Sequence, residues 1–150
     1  MNLGDRIQSV LKNKPGNMVL SIRPDQSVYD AIEKMAEQGV GALLIMEHDK
    51  LLGIITERDY ARKVILKGRL SRETAVREIM TSPVVFVTPQ QSVDDCMNLM
   101  TVHRFRHLPV LDGEKVVGVV SIGDLVKWII SGQERAIQQL ESYISGTYPG

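Results

Sequence analysis

Two stretches of the sequence decide the fold of this chain: GIITERD at residues 53–59 and GVVSIGD at residues 118–124. Both follow one pattern, which is a glycine, two aliphatic residues, a hydroxyl residue, two variable positions and an aspartate. They lie 65 positions apart, and sliding the whole sequence by 65 positions aligns its two halves without a gap. The chain therefore contains an internal repeat of two copies. Identical residues also meet outside the two stretches, including Pro24 with Pro89, Ser27 with Ser92 and Met35 with Met100.

Each repeat predicts the same order of elements, which is strand, helix, strand, strand and helix. Ser27 and Ser92 each precede apolar residues at 3.6-residue spacing and are typical helix N-caps. The apolar runs on either side of a polar turn then predict a hairpin. The predicted first strands are 19–22 and 84–87, the second 42–46 and 108–111, the third 51–55 and 115–120, and the last helices 57–66 and 123–130.

These elements predict a fold of the α/β (α+β) class. Two tandem βαββα motifs would pack about a pseudo-twofold axis, because one motif alone would expose a face of its small sheet. Amphipathic stripes predict two flanking helices, which need their own domain or a second copy as cover. The stripes are Leu3, Ile7, Val10 and Leu11 at one end, and Ala136, Ile137, Leu140, Tyr143 and Ile144 at the other. The predicted parts are an N-terminal helix at 1–14, a first motif at 15–66, a linker at 67–75, a second motif at 76–131, and a C-terminal helix and tail at 132–150.

The composition argues against several classes of protein. The net charge is +0, so no overall field attracts nucleic acid or an anionic membrane. The basic residues of 58–72 are interpreted as the solvated face and end of a helix. No apolar run approaches the roughly 18 residues of a membrane span. The single cysteine, Cys96, excludes an internal disulfide and favours a cytoplasmic location.

The informative polar residues stand where each third strand meets the last helix. Thr56 and Ser121 lie at the helix N-cap, where free backbone N–H groups and the helix dipole attract anions. Asp59 and Asp124 follow three residues later, and a carboxylate there can accept two hydrogen bonds from a ribose diol. The same spacing is also an ordinary capping box. Its presence at the same point of both repeats favours a nucleotide site.

The repeats differ between the first helix and the second strand. Repeat two has HRFRH at 103–107, where repeat one has QGVGA at 38–42. The four potentially cationic side chains favour a phosphate clamp, because the planar fork of Arg suits phosphate oxygens. The alternative is a polar loop that pairs with local acids such as Glu57 or Asp59. The small, neutral segment of repeat one suits packing against a base or leaving a site empty, which predicts two unequal sites.

An enzyme would need a nucleophile, a base and an open site. Cys96 aligns with Ala31 on the apolar face of its helix, so it is predicted to be a core residue. The histidines at 48, 103 and 107 do not have the spacing of zinc ligands with cysteines. We therefore predict no catalytic residue and no metal site.

The doubled pattern, the two junctions and the stretch HRFRHLPV at 103–110 together resemble a CBS-domain pair, also called a Bateman module. The resemblance covers residues 10–131. It implies a regulatory module that binds an adenosyl ligand in the cleft between the motifs. The expected ligand is AMP, with ADP, ATP, NAD or S-adenosylmethionine as alternatives. It also implies a homodimer, and a protein partner of unknown identity that is regulated in trans. The alternative is a structural dimerisation adaptor with vestigial nucleotide sites.

By motif position, the resemblance implies two sites. In the first, Thr56 would contact phosphate and Asp59 the ribose hydroxyls. In the second, Ser121 and Asp124 would play these parts with weaker phosphate binding, because repeat one lacks the basic segment and Gly123 stands where Arg58 stands. The other expected contacts of the first site are Arg58, Thr81, Pro83, Val84, His103, Arg104, Arg106 and His107, and those of the second are Asn17, Val19, Gly41 and Ala42.

Overall fold

The structure is a computed structural model that describes residues 2–14 and 19–145. It has the mixed α+β composition predicted from the sequence. The helices and strands are α1 (Ile7–Lys12), β1 (Ser21–Ile22), α2 (Val28–Gln38), β2 (Ala42–Glu47), β3 (Lys50–Thr56), α3 (Glu57–Tyr60), α4 (Val93–His103), β4 (His107–Asp112), β5 (Lys115–Ser121) and α5 (Ile122–Ser145). A π-helical segment, Ala61–Ile65, continues α3, and short 3-10 turns lie at Ser71–Glu73 and Val76–Glu78.

The chain divides into two compact units, each of which combines separate parts of the sequence. The described residues of unit 1 are 2–14, 87–110 and 118–145, and those of unit 2 are 19–86 and 111–117. The two units therefore do not coincide with the two repeats, because each unit contains residues from more than one part of the chain.

Unit 2 is built on a three-stranded sheet in the order β1-β2-β3. Strand β1 is parallel to β2, and β2 is antiparallel to β3, with Leu44 opposite Ile54. Helix α2 begins as predicted at Ser27, whose hydroxyl accepts a hydrogen bond from the Asp30 N–H at 3.0 Å. Gly39 ends the helix in the left-handed region that favours glycine. The core of the unit is aliphatic and includes Val28, Met35, Leu43, Ile45, Ile55, Val64 and Val76.

The end of the predicted linker is part of unit 2. Thr74 is buried, and its hydroxyl donates a hydrogen bond to the Leu70 carbonyl at 2.8 Å. Its own carbonyl accepts from the Val28 N–H at 2.8 Å, which is one of the N–H groups that the first turn of a helix cannot pair. Residues 74–80 thus complete the packing of α2.

Unit 1 contains α1, α4 and α5, together with the portions of β4 and β5 at residues 107–110 and 118–121. Ser92 and Asp95 form a reciprocal capping box at the start of α4. Two helices predicted separately, at 123–130 and over 132–150, are one helix of 24 residues, α5. Gly132 lies within it, and one glycine costs only about 1 kcal/mol in a helix interior. No helix among the described residues has the length and apolar character needed to cross a membrane.

The first strand of each repeat is shorter than predicted. Strand β1 contains only Ser21–Ile22, and the strand predicted at 84–87 is absent. A single parallel bridge joins Val87 to Val110 instead. Because Pro109 of β4 has no N–H to donate, a longer ladder along that edge is disfavoured. The first strand of repeat two is therefore reduced to this single bridge.

The N-terminal segment, which the sequence placed outside the repeat, has a structural counterpart within it. The Val93 N–H donates to the Asp5 carbonyl at 2.9 Å, as the Val28 N–H donates to Thr74. Ile7 likewise bonds to the carbonyl of Gln91, as Val76 does to that of Gln26. Segment 5–12 thus packs at the start of α4 as segment 74–81 packs at the start of α2. Leu3 lies outside this match and is exposed, so its predicted place on the apolar face of α1 is wrong.

Candidate functional site

The first junction, between β3 and α3, is a complete capping box. The Asp59 N–H donates to the Thr56 hydroxyl at 3.1 Å, and the Thr56 N–H donates to Asp59 Oδ2 at 3.0 Å. This reciprocal pair fixes the Asp59 carboxylate over the first turn of the helix. The prediction that Thr56 and Asp59 form a capping box is therefore confirmed.

Two further groups meet the other oxygen of Asp59. The Thr81 hydroxyl donates to Oδ1 at 3.3 Å, and Lys63 Nζ lies 3.0 Å from the same atom. Lys63 Nζ also donates to the Ile79 carbonyl at 2.9 Å. Asp59 is only 8% exposed, and burial of a carboxylate is costly without such hydrogen-bond partners. A ribose at Asp59 would therefore share or displace contacts that are already formed.

The second junction, between β5 and α5, repeats this geometry in unit 1. The Asp124 N–H donates to the Ser121 hydroxyl at 3.1 Å, and the Ser121 N–H donates to Asp124 Oδ2 at 2.8 Å. Lys14 Nζ lies 2.8 Å from the same Oδ2 and donates to the Val119 carbonyl at 2.9 Å. Burial would raise the pKa of Asp124, but hydrogen bonds from Lys14 and Ser121 and the charge of Lys14 outweigh it and lower that pKa.

Neither lysine was predicted as a site residue. Lys63 follows Asp59 by four residues, a helical spacing that could have indicated the pair. No local spacing could have indicated Lys14, because it lies in the N-terminal segment, 110 positions from Asp124. Position 128, the repeat counterpart of position 63, is a tryptophan, and Trp128 Nε1 donates to Asp5 Oδ2 at 3.0 Å. The two carboxylates thus have lysine partners of different origin.

The basic segment 103–107 lies beside the second junction. Helix α4 ends at His103, Arg104 has a left-handed backbone with φ 58°, and the Arg106 carbonyl accepts from the Ile122 N–H at 2.9 Å. The rings of His103 and Phe105 stack with centroids 5.3 Å apart. Arg106 is exposed. Within unit 1, the structure therefore groups the basic segment with Ser121 and Asp124.

The small segment of repeat one is grouped in the same way. The Gly41 carbonyl accepts from the Glu57 N–H at 3.1 Å, and Ala42 is the strand partner of Thr56. The resemblance placed Gly41 and Ala42 at the site of Ser121, and residues 103–107 at the site of Thr56. The structure joins each segment to the junction of its own repeat, because adjacent antiparallel strands bring the start of one beside the end of the next.

The remaining expected contacts lie in unit 2 or outside the described residues. The backbone N–H and carbonyl of Thr81 both bond to Ile54, which leaves its hydroxyl on Asp59. Pro83 is exposed, and Val84 is half-buried. Of the other expected contacts in unit 2, Arg58 is exposed and Val19 is half-buried. Asn17 lies outside the described residues.

Cys96 has the properties of a core residue. Its side chain is buried, and burial together with the charge of Asp95 raises the pKa of its thiol to about 12. Such a thiol holds almost no thiolate at neutral pH. Over residues 2–14 and 19–145, no three His, Cys, Asp or Glu side chains are grouped so that they could hold a metal ion.

Comparison with known proteins identifies relatives over most of the chain. The family model of the CBS domain matches residues 17–66 and 76–131. The chain is 41% identical over 151 residues to the CBS domain-containing protein CBSX3, mitochondrial, of Arabidopsis thaliana, a match that spans 97% of this chain and 73% of that protein.

Solved structures agree with this result. A protein with CBS domains from Burkholderia ambifaria MC40-6 has 54% identity and a TM-score of 0.83, over 86% of this chain and 96% of that one. A hexameric CBS-CP12 protein from bloom-forming cyanobacteria has 30% identity and a TM-score of 0.71, over 81% and 70%. With two matches of the family model on one chain, the protein belongs to the CBS-domain family as a CBS-domain pair.

Proposed function

We propose that this protein is a regulatory, non-catalytic module that binds an adenine nucleotide, most readily AMP, and acts in trans on a protein partner. The observation that carries the proposal is the repeated junction. Each unit holds a carboxylate of Asp at a helix start, fixed by a reciprocal bond to Thr or Ser and paired with a lysine ammonium. Carboxylate and ammonium side by side suit a ligand that has both a ribose diol and a phosphate.

The phosphate-bearing site is proposed at the second junction, which revises the assignment made from the sequence. Arg106 and Arg104 belong to the segment whose backbone bonds to Ile122, at the start of a 24-residue helix. A long helix presents a positive dipole end at that point, where the Ile122 and Asp124 N–H groups are already bonded within unit 1. Lys14 adds a third positive charge, held 2.8 Å from the Asp124 carboxylate. Positive groups of three origins thus favour a phosphate here.

The first junction is proposed as a nucleoside site with weaker phosphate binding. Its helix α3 has only four residues before the π-helical segment, and the segment beside it is neutral. Thr56, Asp59 and Thr81 supply hydroxyl and carboxylate groups for the ribose. Lys63 is the cation closest to them among the described contacts, and it also bonds to the Ile79 carbonyl.

The test is a calorimetric titration with adenosine, AMP, ADP, ATP, NAD and S-adenosylmethionine, alongside thermal melting. A ligand that binds only the folded protein raises its stability by RT ln(1 + [L]/Kd), about 2.7 kcal/mol at a hundredfold excess over Kd. Asp124→Asn keeps the shape of the cap and should weaken adenosine and AMP alike. Asp49→Asn, at an exposed hairpin turn, is the matched control and should bind as wild type.

Arg106→Ala tests the phosphate contribution. It should weaken AMP by roughly 10- to 100-fold, from about 1.5–3 kcal/mol for a charged hydrogen bond, and leave adenosine unchanged. Arg135→Ala removes an equally exposed arginine from α5 and serves as its control. Equal weakening of adenosine and AMP by Arg106→Ala would contradict the phosphate assignment.

The alternative function, a structural adaptor with vestigial sites, gives a different result. Melting curves unchanged by millimolar concentrations of all six ligands would exclude nucleotide sensing and favour the adaptor. Two further parts of the proposal are a homodimer and a cytoplasmic location. The homodimer is supported by the hexameric CBS-CP12 protein, which is a similar chain that self-associates. The second is supported by the single buried cysteine, although one relative is named mitochondrial.

A further inference from the structure

The carboxylate of Asp59 has a protein donor at each position where it can accept a hydrogen bond. Its Oδ2 accepts from the Thr56 N–H at 3.0 Å and from the Thr56 hydroxyl at 3.2 Å. Its Oδ1 accepts from the Thr81 hydroxyl at 3.3 Å and lies 3.0 Å from Lys63 Nζ. An ionised carboxylate offers about four lone-pair sites, so these donors fill it. A ribose diol that bonds to Asp59 through both hydroxyls must therefore displace protein donors.

The bonds at the second junction converge on one oxygen of the carboxylate. The Ser121 nitrogen and Lys14 Nζ each lie 2.8 Å from Asp124 Oδ2. A ribose hydroxyl that approaches Oδ1 displaces neither of them, whereas the donors at Asp59 are divided between both oxygens. A ribose therefore has more to displace at the first junction than at the second.

Lys63 is the donor at Asp59 that can leave most readily. The two Thr56 groups belong to the capping box that starts α3, and their release would leave the start of that helix without its cap. The Lys63 side chain is 43% exposed, and its ammonium can move into water, where it is strongly hydrated. Its departure still separates an ion pair with a buried carboxylate, and a neutral hydroxyl does not replace the lost charge. It also breaks the bond from Lys63 to the Ile79 carbonyl.

We infer that Lys63 is an internal competitor of the ribose and sets the affinity of the first site for nucleosides. The inference rests on the proposed function, because it takes Asp59 as the ribose contact. The ammonium occupies the oxygen that one ribose hydroxyl needs, so adenosine binds there only by moving Lys63 away from Asp59. The first site therefore fills at a higher adenosine concentration than the second site.

Calorimetric titration with adenosine in an Asp124→Asn background isolates the first site. Adenosine carries no phosphate that could attract the lysine. Lys63→Met keeps a long side chain without the charge, so adenosine should bind about tenfold more tightly. Lys63→Arg retains a cation that can pair with Asp59, and it should bind adenosine as the background protein does. Lys67→Met removes an exposed lysine four positions later and should also bind as the background does.

A second measurement uses the wild-type protein, so it does not depend on how well a variant folds. Saturating adenosine should release the Lys63 amine from its two protein partners. An amine-acylating reagent should then modify Lys63 several times faster than it does in the protein without ligand, as measured by mass spectrometry of the digested protein. The exposed Lys67 should react at the same rate in both states.

The outcomes separate this inference from the proposed function. Adenosine that binds the Lys63→Met and Lys67→Met proteins equally, or binds Lys63→Met more weakly, would overturn the inference and leave nucleotide binding intact. An acylation rate of Lys63 that saturating adenosine does not change would overturn it as well. If adenosine bound neither the wild-type protein nor any variant, the proposed function would fail, and the inference would fail with it.

Discussion

The ion pair between Lys14 and Asp124 ties the N-terminal segment to the second junction, and Lys14→Met should measure its strength. At 2.8 Å and an effective dielectric constant of about 20, the attraction is roughly 6 kcal/mol before desolvation. Desolvation of two largely buried ions offsets most of it. The side chains are 29% and 18% exposed, so solvent screening lowers the net value further. We expect a loss of about 1–2 kcal/mol in the free energy of unfolding.

The effect should depend on pH in a defined direction. The pKa of Asp124 is lowered in the folded protein from its ordinary value of 3.8. A carboxylate with a lowered folded pKa stabilises the protein above its ordinary pKa, and this contribution is lost as the pH falls through the folded pKa. The difference between wild type and Lys14→Met should therefore be constant from pH 5 to 7. It should shrink below pH 3.8.

Urea unfolding followed by tryptophan fluorescence is the assay. The chain has one tryptophan, Trp128, whose indole bonds to Asp5 within unit 1, so its signal reports the unit that holds the ion pair. Lys12→Met removes an exposed lysine from α1 and is the control. If Lys14→Met and Lys12→Met were equally stable at pH 7, or if their difference persisted unchanged below pH 3.8, the ion-pair argument would be refuted.

Two further predictions concern packing. Gly53→Ala should destabilise the protein by about 1–3 kcal/mol in urea unfolding, because the added Cβ would lie 2.6 Å from the sulfur of Met80 and 3.1 Å from the Thr81 carbonyl oxygen. Gly123→Ala meets only the Ser121 hydroxyl at 3.6 Å and, as a helical position, should be neutral or slightly stabilising; equal effects of the two changes would contradict this. The thiol of Cys96, with a pKa of about 12, should react with a disulfide reagent at pH 7 only as fast as the protein unfolds, and rapid labelling of the native protein would show that the site is open.

Local patterns predicted most of the secondary structure. The hairpin of β2 and β3, the N-caps of α2 and α4 and the capping boxes at Thr56 and Ser121 depend on residues within a few positions of one another. The apolar face that contains Cys96 was visible for the same reason. Such features are set by side-chain and backbone contacts along one turn or one strand pair.

Features that depend on distant segments could not be read in this way. The bond of Lys14 to Asp124 spans 110 positions, and no spacing rule connects them. The match between segment 5–12 and segment 74–81 follows backbone hydrogen bonds rather than identical side chains, and its offset differs from the 65 positions of the main repeat.

The order of segments in unit 1 has a consequence for how the chain can be assembled and divided. Unit 2 is almost one continuous run, 19–86, with a short addition at 111–117. Unit 1 begins with the first described residues, which cap α4 through Asp5, and ends with α5. During synthesis, segment 5–14 must therefore wait for its partners at residues 89–124, while most of unit 2 is already available to fold. A fragment that begins at residue 76, where the second family match starts, would contain α4 but not segment 5–12. It would therefore lose the backbone hydrogen bonds that this segment makes at the start of α4.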